Sequence, residues 1–76
     1  MTKLPLLSAK ELEKILFHLG FIKIRQKGSH VFYRHPDGRT TTIPHHQGTD
    51  LSRPLLRTIL RELRIDLEKF QELLNS

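Results

Sequence analysis

Leu12, Ile15, Leu16 and Leu19 recur at three- and four-residue intervals between charged positions, the spacing of one apolar helix face. The stripe has a start and a stop. Ser8-Ala9-Lys10-Glu11 reads as a capping box, in which Ser8 and Glu11 each satisfy the other's free backbone N–H. Gly20 sits where a left-handed C-terminal cap is wanted. The pattern predicts a helix over residues 8–19.

The period then changes from helical to alternating. In residues 21–26, FIKIRQ, Ile22 and Ile24 fall on one predicted face and Lys23 and Arg25 on the other. Lys27-Gly28 interrupts the run, and SHVFYRH resumes it with strand-favouring residues. Pro36-Asp37-Gly38-Arg39 is a turn signal, because Pro, Asp and Gly each suit a different turn position. Thr40 to Pro44 supply a third strand, ended by a proline that cannot donate to a ladder. Three short strands joined by tight turns make an antiparallel meander.

His45 to Asp50 reads as a loop. A second helix follows, capped by Ser52, with Pro54 in its first turn and Leu55, Leu56, Ile59, Leu60 and Leu63 on its inner face. Arg53, Arg57, Arg61 and Arg64 gather on another side. A short last helix starts near Asp66 and carries Leu67, Phe70, Leu73 and Leu74. The predicted class is α+β, in the order α-β-β-β-α with an extra short C-terminal helix. Helices on one face of a three-stranded antiparallel sheet bury all the stripes and leave the other face free. That order resembles the double-stranded RNA-binding domain, although order alone says little about function.

Seventy-six residues are expected to form one domain spanning residues 1–76. A chain this size buries only about 60% of its unfolded surface, so any active site is expected to be shallow. Thirteen Lys and Arg against eight Asp and Glu give a net charge of +5, and the pI is about 10.1. That balance favours a polyanionic partner, nucleic acid foremost. The absence of cysteine excludes disulfides, thiol catalysis and cysteine-ligated zinc. No leader-like start or long apolar run is seen, so the expectation is a cytoplasmic protein without a membrane partner.

His30 is the candidate for chemistry. Metal-free RNA scission needs a base for the 2′-OH proton, an acid for the leaving 5′ oxygen, and positive charge near the phosphate. Imidazole titrates in the right range for either proton role. Gly28 would let backbone approach a phosphate, Ser29 could donate a hydrogen bond, and Lys27, Arg25 and Arg34 could supply charge. Each feature also has a plain reading: a surface histidine, a turn glycine, a solvated strand. Of adjacent Phe32 and Tyr33, on opposite strand faces, one is expected in the core and the other free to stack on a base. His30, His35, His45 and His46 match no strong zinc spacing, so neither metal nor cofactor is implied. A histidine-bound metal nuclease remains the weakest reading, and a non-catalytic double-stranded RNA-binding module the chief alternative.

Taken together, SAKELEKILFHLGF, RQKGSHVFYRHPDGRTTTIPHH, DLSRPLLRTILREL and the tail RIDLEKF resemble the HicA toxins of type II toxin–antitoxin systems. The likeness runs from about residue 6 to residue 74. The combination of G-S-H, H-P-D-G-R, I-P-H and a late L-R-x-I-L is far more specific than any one part. The resemblance implies a double-stranded-RNA-binding-like fold and an mRNA endoribonuclease (an interferase) that arrests translation and growth. It implies that His30, in the G-S-H step, is the catalytic residue. It also implies a HicB-type antitoxin that covers the active site, and DNA binding only through the toxin–antitoxin complex. Arg57 and Arg61 are expected to contact either phosphate or that antitoxin. Residues 1–7, with Pro5 among them, form a longer lead into the first helix than many members have.

Overall fold

Ser8 and Glu11 form the capping box that the sequence predicts, in a computed structural model that describes residues 4–75. The Ser8 Oγ accepts from the Glu11 N–H at 3.2 Å, and Glu11 Oε1 accepts from the Ser8 N–H at 2.9 Å. The described elements are β1 (Leu7–Ser8), α1 (Ala9–Leu19), β2 (Ile22–Lys27), β3 (His30–Arg34), β4 (Thr40–Pro44), β5 (Asp50–Leu51), α2 (Arg53–Leu63) and α3 (Leu67–Leu74). Gly20 closes α1 at φ +103°, and a Cβ there would also lie 3.2 Å from His35 Nε2, so the position has two reasons to be glycine.

The main sheet is antiparallel in the order β2-β3-β4. Val31 and Tyr33 of β3 point inward beside Ile43 and Thr41 of β4, and all four are buried. Leu12 and Leu16 of α1 and Leu56, Ile59 and Leu63 of α2 complete that layer. Full burial of each such aliphatic side chain contributes about 1.5–3 kcal/mol, so the helices are held to this one face. The order α-β-β-β-α, with both main helices on one side, is that of the double-stranded RNA-binding domain. His30, Phe32 and Arg34 alternate onto the other face, which no described element covers.

The predicted alternation in β2 fails. Ile22 and Ile24 do not share an inner face; all of β2 is exposed. The cause is a register shift between Lys23 and Arg25: Ile22 opposes Arg34 and Lys23 opposes Tyr33, whereas Arg25 opposes Phe32 and Lys27 opposes His30. One extra residue reverses the phase of the strand, as a β-bulge does. A second difference is a two-stranded ladder, β1 with β5, that pairs Leu7 with Leu51 and Ser8 with Asp50. Asp50, read as loop, belongs to it. The ladder ties the lead segment down, and Leu4 and Leu7 are buried; residues 1–3 of that segment lie outside the described residues. α3 also joins the core through Phe70, with Leu67, Leu73 and Leu74 partly buried against it.

Candidate functional site

The two residues between β2 and β3, Gly28 and Ser29, form the hairpin connection, with Gly28 at φ +59°. Glycine at the first of two turn positions, followed by a residue of negative φ, is the pattern of a type II′ hairpin turn. A Cβ on Gly28 would meet nothing within 4 Å, so glycine is required by the backbone angle and not by close packing. Gln26 steadies the turn by donating from Nε2 to the Gly28 carbonyl at 3.0 Å. His30 follows as the first residue of β3, exposed on the open face. Its neighbours across the sheet are Lys27 on β2 and Pro44 on β4.

The hairpin register places charges beside His30, and the bulge removes one. Cross-strand partners share a face, so Arg25 and Lys27 lie with His30, Phe32 and Arg34, while Lys23 turns to the other side. Arg25 sits with its guanidinium carbon 4.7 Å from the centre of the Phe32 ring. No Asp or Glu occurs in β2, β3 or β4, and Asp37 is the single carboxylate between Lys14 and Thr49. The side chains of Lys27, His30 and Arg34 make no hydrogen bond or ion pair among the described residues. The result is an unneutralised positive face with one imidazole at its edge. Arg25, Lys27, Gly28, Ser29 and His30 are thus brought together, while Arg34 shares the face but stands four strand positions, about 14 Å, from His30.

Behind the turn lies a polar cluster that sequence reasoning did not find. The His45 N–H donates to the Ser29 carbonyl at 2.6 Å, fastening the end of β4 to the residue before His30. The His45 side chain faces inward, with Nε2 2.8 Å from the Tyr33 hydroxyl, and that hydroxyl donates to Glu13 Oε2 of α1. Burial, and then the hydrogen bond and charge of Glu13, push the Tyr33 hydroxyl above its ordinary range. Tyr33 therefore stays protonated and donates its hydrogen bond to Glu13, so the contact with His45 requires Nε2–H as donor. The cluster joins α1, β3 and the loop after β4 directly beneath the G-S-H step. Glu13 lies outside the leucine stripe of α1, and the histidine spacing by itself suggests only metal binding for His45. Its place in I-P-H was the available signal.

The H-P-D-G-R segment occupies the far end of β3. His35 Nε2 donates to the Leu19 carbonyl at 3.1 Å, and Arg39 Nη1 donates to the Leu63 carbonyl at 2.6 Å. Asp37 accepts from both the backbone N–H and Nε of Arg39, at 3.0 and 2.8 Å. Those bonds, led by the backbone one, hold its carboxyl below the usual range. This segment locks the β3–β4 turn to both helices. Five strand positions, about 17 Å, separate His35 from His30, too far for one ion to bridge.

Arg57 and Arg61 lie on the outer side of α2, away from the face that carries His30. With Leu4, Leu60, Ile65 and Leu67 they line a cleft of about 250 Å³. Neither makes an ion pair among the described residues. Arg53, by contrast, donates from Nε to the Leu4 carbonyl at 3.0 Å, and Arg64 caps α2 at φ +58°. Only Arg53 of the stripe is therefore anchored by its side chain, and the guanidinium groups of Arg57, Arg61 and Arg64 make no hydrogen bond or ion pair among the described residues. No described helix is long and apolar enough to cross a membrane.

Comparison with known families adds one match. Residues 9–65 fit the family model described as HicA toxin of bacterial toxin-antitoxin, which takes in α1, the whole of the three-stranded sheet and α2. No curated protein matches the chain.

Proposed function

The chain belongs to the HicA toxin family, the toxin side of a toxin–antitoxin system, and on that premise we propose that it is a metal-independent mRNA endoribonuclease acting through His30. The observation that carries the reading is His30 standing exposed beside Lys27, on a sheet face with no carboxylate. In this reading His30 moves the proton at one of the two oxygens of the reacting phosphodiester: it takes the 2′-OH proton or supplies one to the leaving 5′ oxygen. Lys27 and Arg25, nearer His30, offset the negative charge that grows on the phosphate, and Arg34 holds the RNA backbone farther along the face. Gly28 and Ser29 present the backbone on which His30 is mounted. The type II′ turn, the Gln26 bond and the His45-to-Ser29 bond fix that mount before RNA arrives, which is how preorganisation lowers a barrier.

The partner in this proposal is a HicB-type antitoxin that covers the His30 face, in the cytoplasm, with residues 1–76 acting as a single unit. Arg57 and Arg61 then belong to the antitoxin contact. Their free guanidinium groups flank an apolar cleft on the side of the molecule away from His30. DNA contact comes only through the assembled pair.

Cleavage of a defined RNA by purified protein tests the chemistry. Wild type is expected to cut in the presence of a chelator and to leave a 2′,3′-cyclic phosphate, while His30→Ala is inert. A 5′-phosphate on the downstream fragment, or loss of activity on chelation, contradicts the mechanism. The same fold also serves non-catalytic binding of duplex RNA. Tight, salt-dependent duplex binding without any scission would support that second reading.

A further inference from the structure

Phe32 has no role in that proton chemistry, yet it occupies the middle of the same face. Its inward neighbours Val31 and Tyr33 are nearly or wholly buried, whereas Phe32 is only partly covered. Nothing in the core requires a large aromatic there. Arg25 lies over its ring at 4.7 Å, Thr42 opposes it on β4, and His30 is two residues along the strand on the same face. Two strand positions are about 7 Å, roughly the distance from one nucleotide to the next. The pairing belongs to the register set by the Gly28-Ser29 hairpin, in which Lys27 opposes His30 and Arg25 opposes Phe32, and the bulge beyond Arg25 turns Lys23 off the face.

We propose that Phe32 and Arg25 form a stacking platform for an unpaired base, so that the open sheet face takes single-stranded RNA and presents the phosphate next to that base to His30. The proposal rests on the nuclease reading for the role of His30 but not for the platform itself. Aromatic rings and guanidinium planes both stack on bases splayed out of a single strand, and such stacking tolerates any sequence. An A-form duplex keeps its bases inside and offers only phosphates and 2′-hydroxyls. A guanidinium already stacked on a ring is a surface that a base extends. Lys27 and Arg34, on either side along the strands, then follow the backbone.

Fluorescence anisotropy with the full chain carrying His30→Ala, which prevents cutting, separates the possibilities. The probes are a labelled mixed-sequence single-stranded RNA and the same strand annealed to its complement. Phe32→Leu removes the ring but keeps apolar bulk. Arg25→Lys keeps the charge but removes the plane. Each is expected to weaken single-strand binding about 5- to 100-fold while duplex binding stays unchanged. Arg25→Lys is also expected to leave the salt slope as it was, because no charge is lost. Circular dichroism melting is the check that both variants fold; Arg25 is exposed on β2 and its replacement does not touch the core. Single-strand affinity within twofold of the parent in both variants overturns the platform and leaves this face to the protein antitoxin. So does tighter binding of the duplex. Platform-dependent binding without scission by wild type upholds the platform and removes the nuclease. Scission by wild type with kcat/KM unmoved by either variant does the reverse.

Discussion

Tyr33→Phe removes a single oxygen from the centre of the molecule, and the structure sets what that costs. The hydroxyl donates to the Glu13 carboxylate and accepts from His45, so its loss takes one hydrogen bond to a charged group and one to an imidazole. A bond to a charged group contributes about 1.5–3 kcal/mol. Glu13 and His45 retain 17% and 22% of their side-chain exposure, so water partly replaces the lost partner and the lower half of that range applies. For a domain of this length, about 1.5–2 kcal/mol corresponds to a fall in Tm of roughly 6–16 °C. The substitution also has a pH signature. The folded-state pKa of Tyr33 is raised above its ordinary value of 10.0, so its contribution is complete below pH 10 and is lost as pH rises further. Phenylalanine cannot titrate. The gap between wild type and Tyr33→Phe, read by far-ultraviolet circular dichroism melting, therefore narrows from about pH 9 to about pH 11. A fall in Tm below about 2 °C, or a gap that stays constant across that window, refutes the assigned proton positions and the importance of the cluster.

Three further outcomes follow from the same geometry. Gly28→Ala is expected to cost about 1–2 kcal/mol, because the turn holds φ at +59° and nothing crowds a Cβ there, while Gly28→Asn is expected to cost less; thermal melting compares them. Arg57→Ser with Arg61→Ser is expected to leave the melting curve and RNA affinity unchanged and to weaken antitoxin binding at least tenfold by calorimetry; a reduced salt slope for RNA instead would assign these residues to phosphate. On acidification, the depressed carboxyl of Asp37 contributes stability that is present above its ordinary value of 3.8 and lost as pH falls through the folded-state value, so Asp37→Asn is expected to flatten the acid limb of the stability curve.

The helices were legible because their signals are local. Ser8 with Glu11, Gly20, Ser52 and Asp66 each cap a helix end where the chain places them, and the apolar stripes of α1 and α2 face the core. The turns at Gly28 and Pro36–Arg39 were legible for the same reason. The phase of β2 was not, because a bulge depends on how β2 meets β3 and leaves no mark in a six-residue alternation. The β1–β5 ladder was hidden by its length, two residues on each side and 43 apart in the chain from Leu7 to Asp50. Of the candidate site, His30 and its charged neighbours could be named from residues 25–34. What the sequence could not supply was the face that Arg25 and Lys27 share with His30, nor the support from Glu13, Tyr33 and His45, three residues from three parts of the chain. In the spacing, Arg57 and Arg61 form one stripe with Arg53 and Arg64; the Arg53 bond to the Leu4 carbonyl and the left-handed cap at Arg64 are long-range or backbone features that the spacing does not carry.

In the proposed function, growth arrest comes from RNA cleavage at the imidazole of His30. Its most direct test is induced expression of wild type and His30→Ala in a host without the antitoxin, with growth and transcript integrity followed together and equal folded abundance verified. Arrest with loss of full-length transcripts is expected for wild type alone. Arrest and transcript loss that persist in His30→Ala, or a harmless wild type with intact transcripts, would contradict it.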